Sequence, residues 1–431
     1  MRLADAGGTS SPFPALTRRL RSGLAVLAVA LLASAAAAEA KQPVFGIVPQ
    51  DGALPSVSDL DLMPTGGIGG LRTMLPWGLV ESRPGTYDWG QADAVIRETT
   101  KRGIQPLVFL YGTPDWAAAK DHRDCNGGAC AVYPPRTKST RAAFERFAAA
   151  AAARYGPGGD FWKAPVSAPK PSTSTGSPIM LDDGDSGLCP VPILCPPEPP
   201  PTPPPVPVPD PPLPTEPPCG CTTPSPITTW QIWNEQNSPK YFAPKVDVGR
   251  YAALLKSAAA GIRSVDPTAE IVLGGMWGPH SARKVVTPTK TYLQRLYALG
   301  AADDFDSIAI HPYANNAKAS IAQLESARRV VTGAGDAEAG LWVSEIGWAG
   351  RGPSDNPYVK GLIGQARVLT RALTAYKRKS QSLNLRGVFW YSWRDKKGGD
   401  VICEWCGHAG LRTKNGAAKP AWQAFVRVAR H

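Results

Sequence analysis

Apolar residues along this chain follow two alternating rhythms. Short runs rich in Val, Ile, Leu and aromatic residues occupy positions 44–50, 67–77, 104–116, 228–237, 270–275, 305–314, 341–350 and 385–395. Such runs suit buried strands, because branched and aromatic side chains pack well on a pleated surface. Between most of them lie longer stretches in which apolar residues recur every three or four positions, the period of a helix with one buried face. Residues 89–102 carry Ala92, Val95 and Ile96 before a stop at Gly103, and residues 139–155 are Ala-rich with Phe144 and Phe147. In residues 247–265, Tyr251, Leu254, Leu255, Ala258 and Ile262 share one side. Further helices are predicted around Tyr292, Leu296 and Leu299 and over 321–331, 358–378 and 420–430. A rhythm of strand and helix with eight strands predicts an α/β protein: a single (β/α)8 TIM barrel, its parallel sheet wrapped by helices. Within the fourth strand, TTWQIWNEQN, strict alternation would put Trp230, Ile232 and Asn234 on one face and Gln231, Trp233 and Glu235 on the other.

The rhythm breaks once. Residues 164–225 show almost no periodicity, and 15 of the 23 residues from 196 to 218 are Pro. Proline has no N–H to donate, so this run cannot build a helix or a ladder and favours extended polyproline II. It reads as an exposed, poorly ordered Pro-rich insertion between helix 3 and strand 4. That junction lies on the barrel face opposite the strand C-termini. The insertion is either a passive spacer or a stiff arm that touches a cell wall. The expected organisation is a signal peptide over 1–40, the first part of the barrel over 41–163, the insertion over 164–225 and the rest of the barrel over 226–431. Removing the signal and the insertion leaves about 330 residues, within the usual range for such barrels.

The signal assignment rests on Arg18, Arg19 and Arg21 ahead of an apolar run from 24 to 38, with Ala38 and Ala40 at a cleavage spacing. The run is short for a membrane span, and an uncleaved N-terminal anchor is the alternative. A secreted or extracytoplasmic location agrees with eight Cys in local pairs: Cys125 with Cys130, Cys189 with Cys195, Cys219 with Cys221, and Cys403 with Cys406. In an exported chain these read as small disulfide-closed loops. A zinc site at Cys403 and Cys406 would need a second C-x-x-C, which the sequence lacks. Pairing is not settled by spacing. The formal charge of +12 is spread without a basic run of five or six. It reads as a solvated basic surface, with no nucleic-acid partner.

In barrels of this kind the chemistry sits at the C-terminal ends of the strands. Those positions carry Arg72, Trp116, Asn234, Glu235, His311, Tyr313, Glu345 and Trp393. Two carboxylates on well separated strands, among aromatic rings and hydrogen-bonding groups, are the equipment for breaking a glycosidic bond. Rings offer platforms to sugar faces, and polar groups orient hydroxyls. Glu345 ends an apolar strand, where an unpaired charge is costly. Arg72 is read as a partner for Glu345 or Glu235. His311 is not read as a metal ligand, and neither metal nor cofactor is expected.

The motifs WNE (Trp233, Asn234, Glu235), HPY (His311, Pro312, Tyr313), SEIGW ending at Trp348 and FWYSW ending at Trp393 occur in this order on strands four, six, seven and eight. With them the chain resembles the retaining glycoside hydrolases of clan A, most of all bacterial proteins similar to family 39, with family 5 second. The resemblance spans residues 44–430 apart from the insertion. It implies a secreted, monomeric enzyme cleaving a poly- or oligosaccharide by double displacement, with Glu235 as acid/base and Glu345 as nucleophile. It further implies Asn234 as donor to the substrate 2-hydroxyl, Arg72 and Tyr313 as groups that hold the nucleophile, His311 nearby and Trp393 as a stacking platform. Trp116 is a second candidate for substrate contact. A barrel that has lost turnover and only binds carbohydrate, and a transglycosylase with the same residues, are the alternatives. The insertion departs from the family pattern.

Overall fold

The computed structural model describes residues 42–49, 54–121, 129–163, 225–278, 286–396 and 403–430. The expected signal segment and nearly all of the Pro-rich insertion lie outside the described residues.

Eight parallel strands close into a barrel in sequence order, β1 pairing with both β2 and β8. The first half runs β1 (Val44–Val48), α1 (Val57–Thr65), β2 (Gly70–Pro76), α2 (Trp77–Val80), α3 (Gly90–Thr100), β3 (Gln105–Tyr111), α4 (Asp115–Asp121), α5 (Lys138–Tyr155) and α6 (Asp160–Lys163). After the insertion come β4 (Thr229–Asn234), α7 (Val248–Val265), β5 (Glu270–Trp277), α8 (Thr289–Ala298), β6 (Ser307–His311) and α9 (Ala317–Gly333). The chain ends with β7 (Gly340–Ile346), α10 (Gly361–Arg378), α11 (Ser380–Leu383), β8 (Leu385–Tyr391) and α12 (Pro420–Arg430). Each expected strand is present, shortened at its C-terminal end in most cases because the polar residues there leave the ladder for the site. The helix α1 is the main element that hydrophobic period alone passes over. Its signal is a cap: Ser56 Oγ accepts the Asp59 N–H, and Leu60 and Met63 face the core. Pro64 in its last turn and few apolar positions hide it from a periodicity count.

The strands are covered on both faces, as parallel strands must be. Inside the barrel Val48, Leu107, Val272, Ala309, Trp342 and Phe389 form a floor. Beneath them Trp342 Nε1 donates to Glu270 Oε1 at 3.0 Å, and Ser307 Oγ donates to the same oxygen at 2.5 Å. Outside, Trp230, Ile232, Leu254, Ile262, Leu369 and Trp422 belong to one continuous apolar layer between sheet and helices. Each such side chain contributes on the order of 1.5–3 kcal/mol when fully buried. A closed lower half leaves the upper, C-terminal mouth as the place where polar groups face inward. The insertion joins α6 to β4, so its described flanks, Lys163 and Ser225, belong to the turn that enters the strand at the opposite end. Among the described residues no helix is long and apolar enough to cross a membrane.

Candidate active site

The alternation expected for β4 fails at its C-terminal end. Trp233 has φ 73° and Glu235 φ 43°, the left-handed region that bulky residues avoid. Each such residue costs roughly 1–3 kcal/mol and survives only where its surroundings hold it. Here they do. Trp233 Nε1 donates to the Tyr241 carbonyl at 2.7 Å, and its ring packs on Tyr111 and Phe242. The Glu235 N–H donates to the Gly275 carbonyl at 2.9 Å and Gln236 Nε2 to the Gly274 carbonyl at 3.0 Å. Asn237 Nδ2 donates to the carbonyls of Trp277 and Thr287, and its Oδ1 accepts the Trp277 N–H at 3.1 Å. As a result Gln231 and Asn234, three residues apart, both reach into the barrel, while Trp230 and Ile232 stay in the outer layer. Asn234 therefore leaves the face that simple alternation assigns it.

Arg72 on β2 is the hub. It is 2 % exposed and every nitrogen has an acceptor: Nη1 donates to Glu345 Oε1 at 2.5 Å, Nε to Gln231 Oε1 and Nη2 to Asn234 Oδ1, each at 2.8 Å. Its guanidinium lies 4.1 Å over the Phe109 ring. The other oxygen of Glu345, Oε2, accepts from the Tyr313 hydroxyl at 3.1 Å. Opposite, Glu235 Oε1 lies 2.8 Å from His311 Nδ1, and the same nitrogen is 3.6 Å from Glu345 Oε2. One oxygen of each carboxylate and this nitrogen all fall within 4.8 Å of one another. The six residues Arg72, Asn234, Glu235, His311, Tyr313 and Glu345 thus form one connected cluster.

The two carboxyl groups differ in surroundings. Burial raises Glu235 from its ordinary 4.5 to about 7, against the opposing pull of Lys240 and Arg72. Burial also drives His311 down to about 3, with Arg72 acting in the same direction against Glu345. The His311–Glu235 contact is therefore a hydrogen bond of a neutral ring and not an ion pair. Burial and the Glu345 charge push the Tyr313 hydroxyl well above its usual value, so it stays a donor. Glu345 is bonded directly to the buried Arg72 guanidinium. Two carboxyls in such different surroundings can divide acid and nucleophile roles. Glu235, His311 and Glu345 also have the spacing of a cation cage. Arg72 already supplies positive charge 2.5 Å from Glu345, and an added cation would have to oppose it.

One of the expected substrate residues lies elsewhere. Trp393 is 2 % exposed, edge-on to Trp422 of α12 and under the Arg412 guanidinium, so its ring is part of the core and not a platform. Alternation along β8 turns Phe389 and Tyr391 inward and would turn Trp393 the same way, but the strand ends at Tyr391 and beyond it Trp393 packs with Trp390 toward the helices. The half-buried inward ring at the strand end is Tyr391. Trp116 opens α4 and is partly exposed, its Nε1 donating to the Glu81 carbonyl at 2.8 Å and its ring edge-on to Trp77. Sequence reasoning passed over Gln231 and Phe109, which cradle Arg72, and Tyr241, whose hydroxyl feels both carboxylates. Inward parity on β3 and β4 is the signal that finds the first two.

No protein-family model matches this sequence, and no curated protein matches it. The fold is similar to a family 39 glycoside hydrolase from the gut symbiont Bacteroides cellulosilyticus, with TM-score 0.59 and 20 % identity over 90 % of this chain and 64 % of that one. It is also similar to a family 39 β-xylosidase from Caulobacter crescentus, with TM-score 0.55 and 16 % identity over 91 % of this chain and 73 % of the other. A family 5 protein from Streptomyces cattleya, solved with GlcNAc, gives TM-score 0.54 and 14 % identity over 91 % and 80 %. The chain spans just under two thirds of the Bacteroides enzyme's length. At these identities the likeness is one of fold.

Proposed function

We propose that this protein is an exported retaining glycoside hydrolase acting on a poly- or oligosaccharide, with Glu235 as acid/base and Glu345 as nucleophile. The observation that carries the reading is the pair itself. Its oxygens approach within 4.8 Å, one carboxyl is clamped by Arg72 and Tyr313, and the other is raised to about 7. Retaining enzymes hold their carboxyls roughly 5–5.5 Å apart, and inverting ones roughly 6.5–9.5 Å apart to admit water. The fold neighbours named for glycoside hydrolysis support the same reading.

In the first step Glu345 attacks the anomeric carbon while protonated Glu235 gives its proton to the leaving oxygen. In the second, Glu235 as carboxylate takes a proton from water, which attacks the same carbon and releases Glu345. Arg72 and Tyr313 hold Glu345 by one hydrogen bond to each oxygen and aim its free lone pairs. Asn234 spends its Oδ1 on Arg72, which leaves its amide N–H groups for a substrate hydroxyl. His311 holds the Glu235 side chain while staying neutral itself.

The test is a panel of aryl xylosides and other aryl pyranosides with neutral polysaccharides, assayed with the wild type, Glu235→Gln and Glu345→Gln. Proton NMR of the first anomer formed reads the stereochemistry. The wild type is expected to release product with retained configuration, and both variants to fall to background. Equal product from all three proteins would refute the assignment.

A further inference from the structure

Ser344 and His311 carry two buried polar atoms that the proposed roles leave unused. Both residues are 0 % exposed, and neither Ser344 Oγ nor His311 Nε2 has a hydrogen-bond partner. A buried polar atom is costly to leave unpaired. These two lie beside each other. A Cβ on Gly275 would stand 2.0 Å from Nε2 and 2.5 Å from Oγ, so one small spot between β5, β6 and β7 borders both. Ser344 reaches that spot because β7 departs from simple alternation. Its register shifts between Val343 and Ile346, and within that step Ser344 meets His311 while its neighbour Glu345 meets Arg72.

The opposite ring nitrogen of His311 is the one that holds Glu235. Nδ1 lies 2.8 Å from Glu235 Oε1 and 3.6 Å from Glu345 Oε2. Burial keeps the ring neutral, so it carries one N–H. With that hydrogen on Nε2, Nδ1 can only accept, and it draws the Glu235 proton onto Oε1, away from the substrate. With the hydrogen on Nδ1, the N–H donates to Oε1 and the Glu235 proton stays on Oε2, free for the leaving oxygen. The bond made by the second nitrogen fixes the tautomer. Nδ1 faces two carboxyl groups, which favours a hydrogen there. Nε2 is then an acceptor, and the Ser344 hydroxyl, which turns about one single bond, is the donor beside it.

We infer that Ser344 is a positioning residue whose hydroxyl donates to His311 Nε2 and so fixes the Nδ1–H tautomer, which grips Glu235 by Oε1 and leaves the acid proton on Oε2. The inference rests on the glycosidase reading for its consequence and on the buried pair for its geometry. The other charged or titratable groups that face Glu235 and His311 are Arg72 from β2, Glu345 from β7, Tyr313 after β6, and Lys240 and Tyr241 after β4. None of them bonds Nε2.

The experiment reads the tautomer first and the rate second. Protein labelled with 15N-histidine is studied by long-range proton–nitrogen NMR at neutral pH, with the His311 signals assigned by their loss in His311→Gln. The wild type should show the hydrogen on Nδ1, a reading that needs no variant of Ser344. In Ser344→Ala the Nε2 resonance should move toward that of an unbonded nitrogen. With the ring free to accept from Glu235, the alkaline limb of kcat/KM should rise by roughly 0.5–1 pH unit. Turnover of glycosides with poor leaving groups should drop roughly three- to tenfold, and turnover of activated aryl glycosides, which need little protonation, by less than about twofold. Ser344→Thr keeps the hydroxyl and should stay within about twofold of the wild type on both. Thermal melting confirms that each protein folds. A hydrogen on Nε2 in the wild type overturns the inference. So does a folded Ser344→Ala protein with an unmoved Nε2 resonance or pH limb, or a folded Ser344→Thr protein that behaves as Ser344→Ala does. An Nε2 resonance that depends on Ser344 in a protein without hydrolysis would instead sink the glycosidase reading and leave the hydrogen bond standing.

Discussion

Glu235 is the residue whose environment makes the sharpest demand. A carboxyl raised to about 7 by burial keeps about half its protons at neutral pH and most of them below it, which is what an acid catalyst needs. The rate of the first step, read as kcat/KM, should therefore fall as pH rises through about 7. Replacement by Gln should remove roughly 10²- to 10⁴-fold of activity toward poor leaving groups, as measured with an aryl-glycoside series. The same shift has a stability sign. The folded protein binds this proton more tightly than the unfolded chain, so this group's contribution declines as pH climbs from 4.5 to about 7. Urea midpoints at pH 5 and pH 8 should show a smaller decline in Glu235→Gln than in the wild type. Glu345 matters to stability through its partner, because Arg72 is the more deeply buried, with side-chain exposures of 1 % for Arg72 and 15 % for Glu345. Glu345→Ala would leave a desolvated guanidinium without its anion and should cost roughly 3 kcal/mol, measurable by chemical denaturation. That Glu345 needs a cation was legible from its place at the end of an apolar strand. Arg72 was legible as a partner for Glu345 or Glu235; that it is Glu345 it bonds, with Gln231 and Phe109 completing the cradle, needed the barrel to bring β2, β3, β4 and β7 together.

At the scale of elements, the end of β4 and the middle of β5 work as one piece. Gly275 illustrates why. A Cβ there would lie 2.0 Å from His311 Nε2 and 2.5 Å from Ser344 Oγ, both on buried side chains. The bare glycine is what lets β5, β6 and β7 approach closely enough for His311 to reach Glu235. Gly275→Ala should force His311 out of place. The expected result is a stability loss of roughly 1–3 kcal/mol together with a fall in kcat, checked by thermal melting and steady-state kinetics. Periodicity located these strands but misjudged their ends. The left-handed backbone at Trp233 and Glu235 turns Asn234 inward, and hydrogen bonds from elements distant in sequence maintain it. The same limit explains Trp393. A run of five residues with two Trp and a Tyr says that β8 ends in rings, and alternation would turn Phe389, Tyr391 and Trp393 to one face; only the folded chain, whose strand stops at Tyr391, sends Trp393 into the core.

For the molecule as a whole, closure of the barrel separates a packed, capped lower half from a polar mouth. The insertion enters between α6 and β4, at the strand ends remote from Glu235 and Glu345. Deleting residues 171–218 should thus leave hydrolysis within about twofold of the full chain, because catalytic groups in this architecture sit on the opposite face. Loss of turnover in a deletion protein that still melts cooperatively would show that the segment shapes the cleft.

The linear chain determined the architecture and the pair of carboxylates. Strand and helix periods are local properties, and a charged residue closing an apolar strand is visible without knowing its neighbours. It did not determine which side chains meet. The Arg72 cradle and the neutral His311 beside a raised Glu235 join residues tens to hundreds of positions apart. Only closing the sheet sets those distances, and desolvation, which sets the charges, exists only once the chain has folded around them.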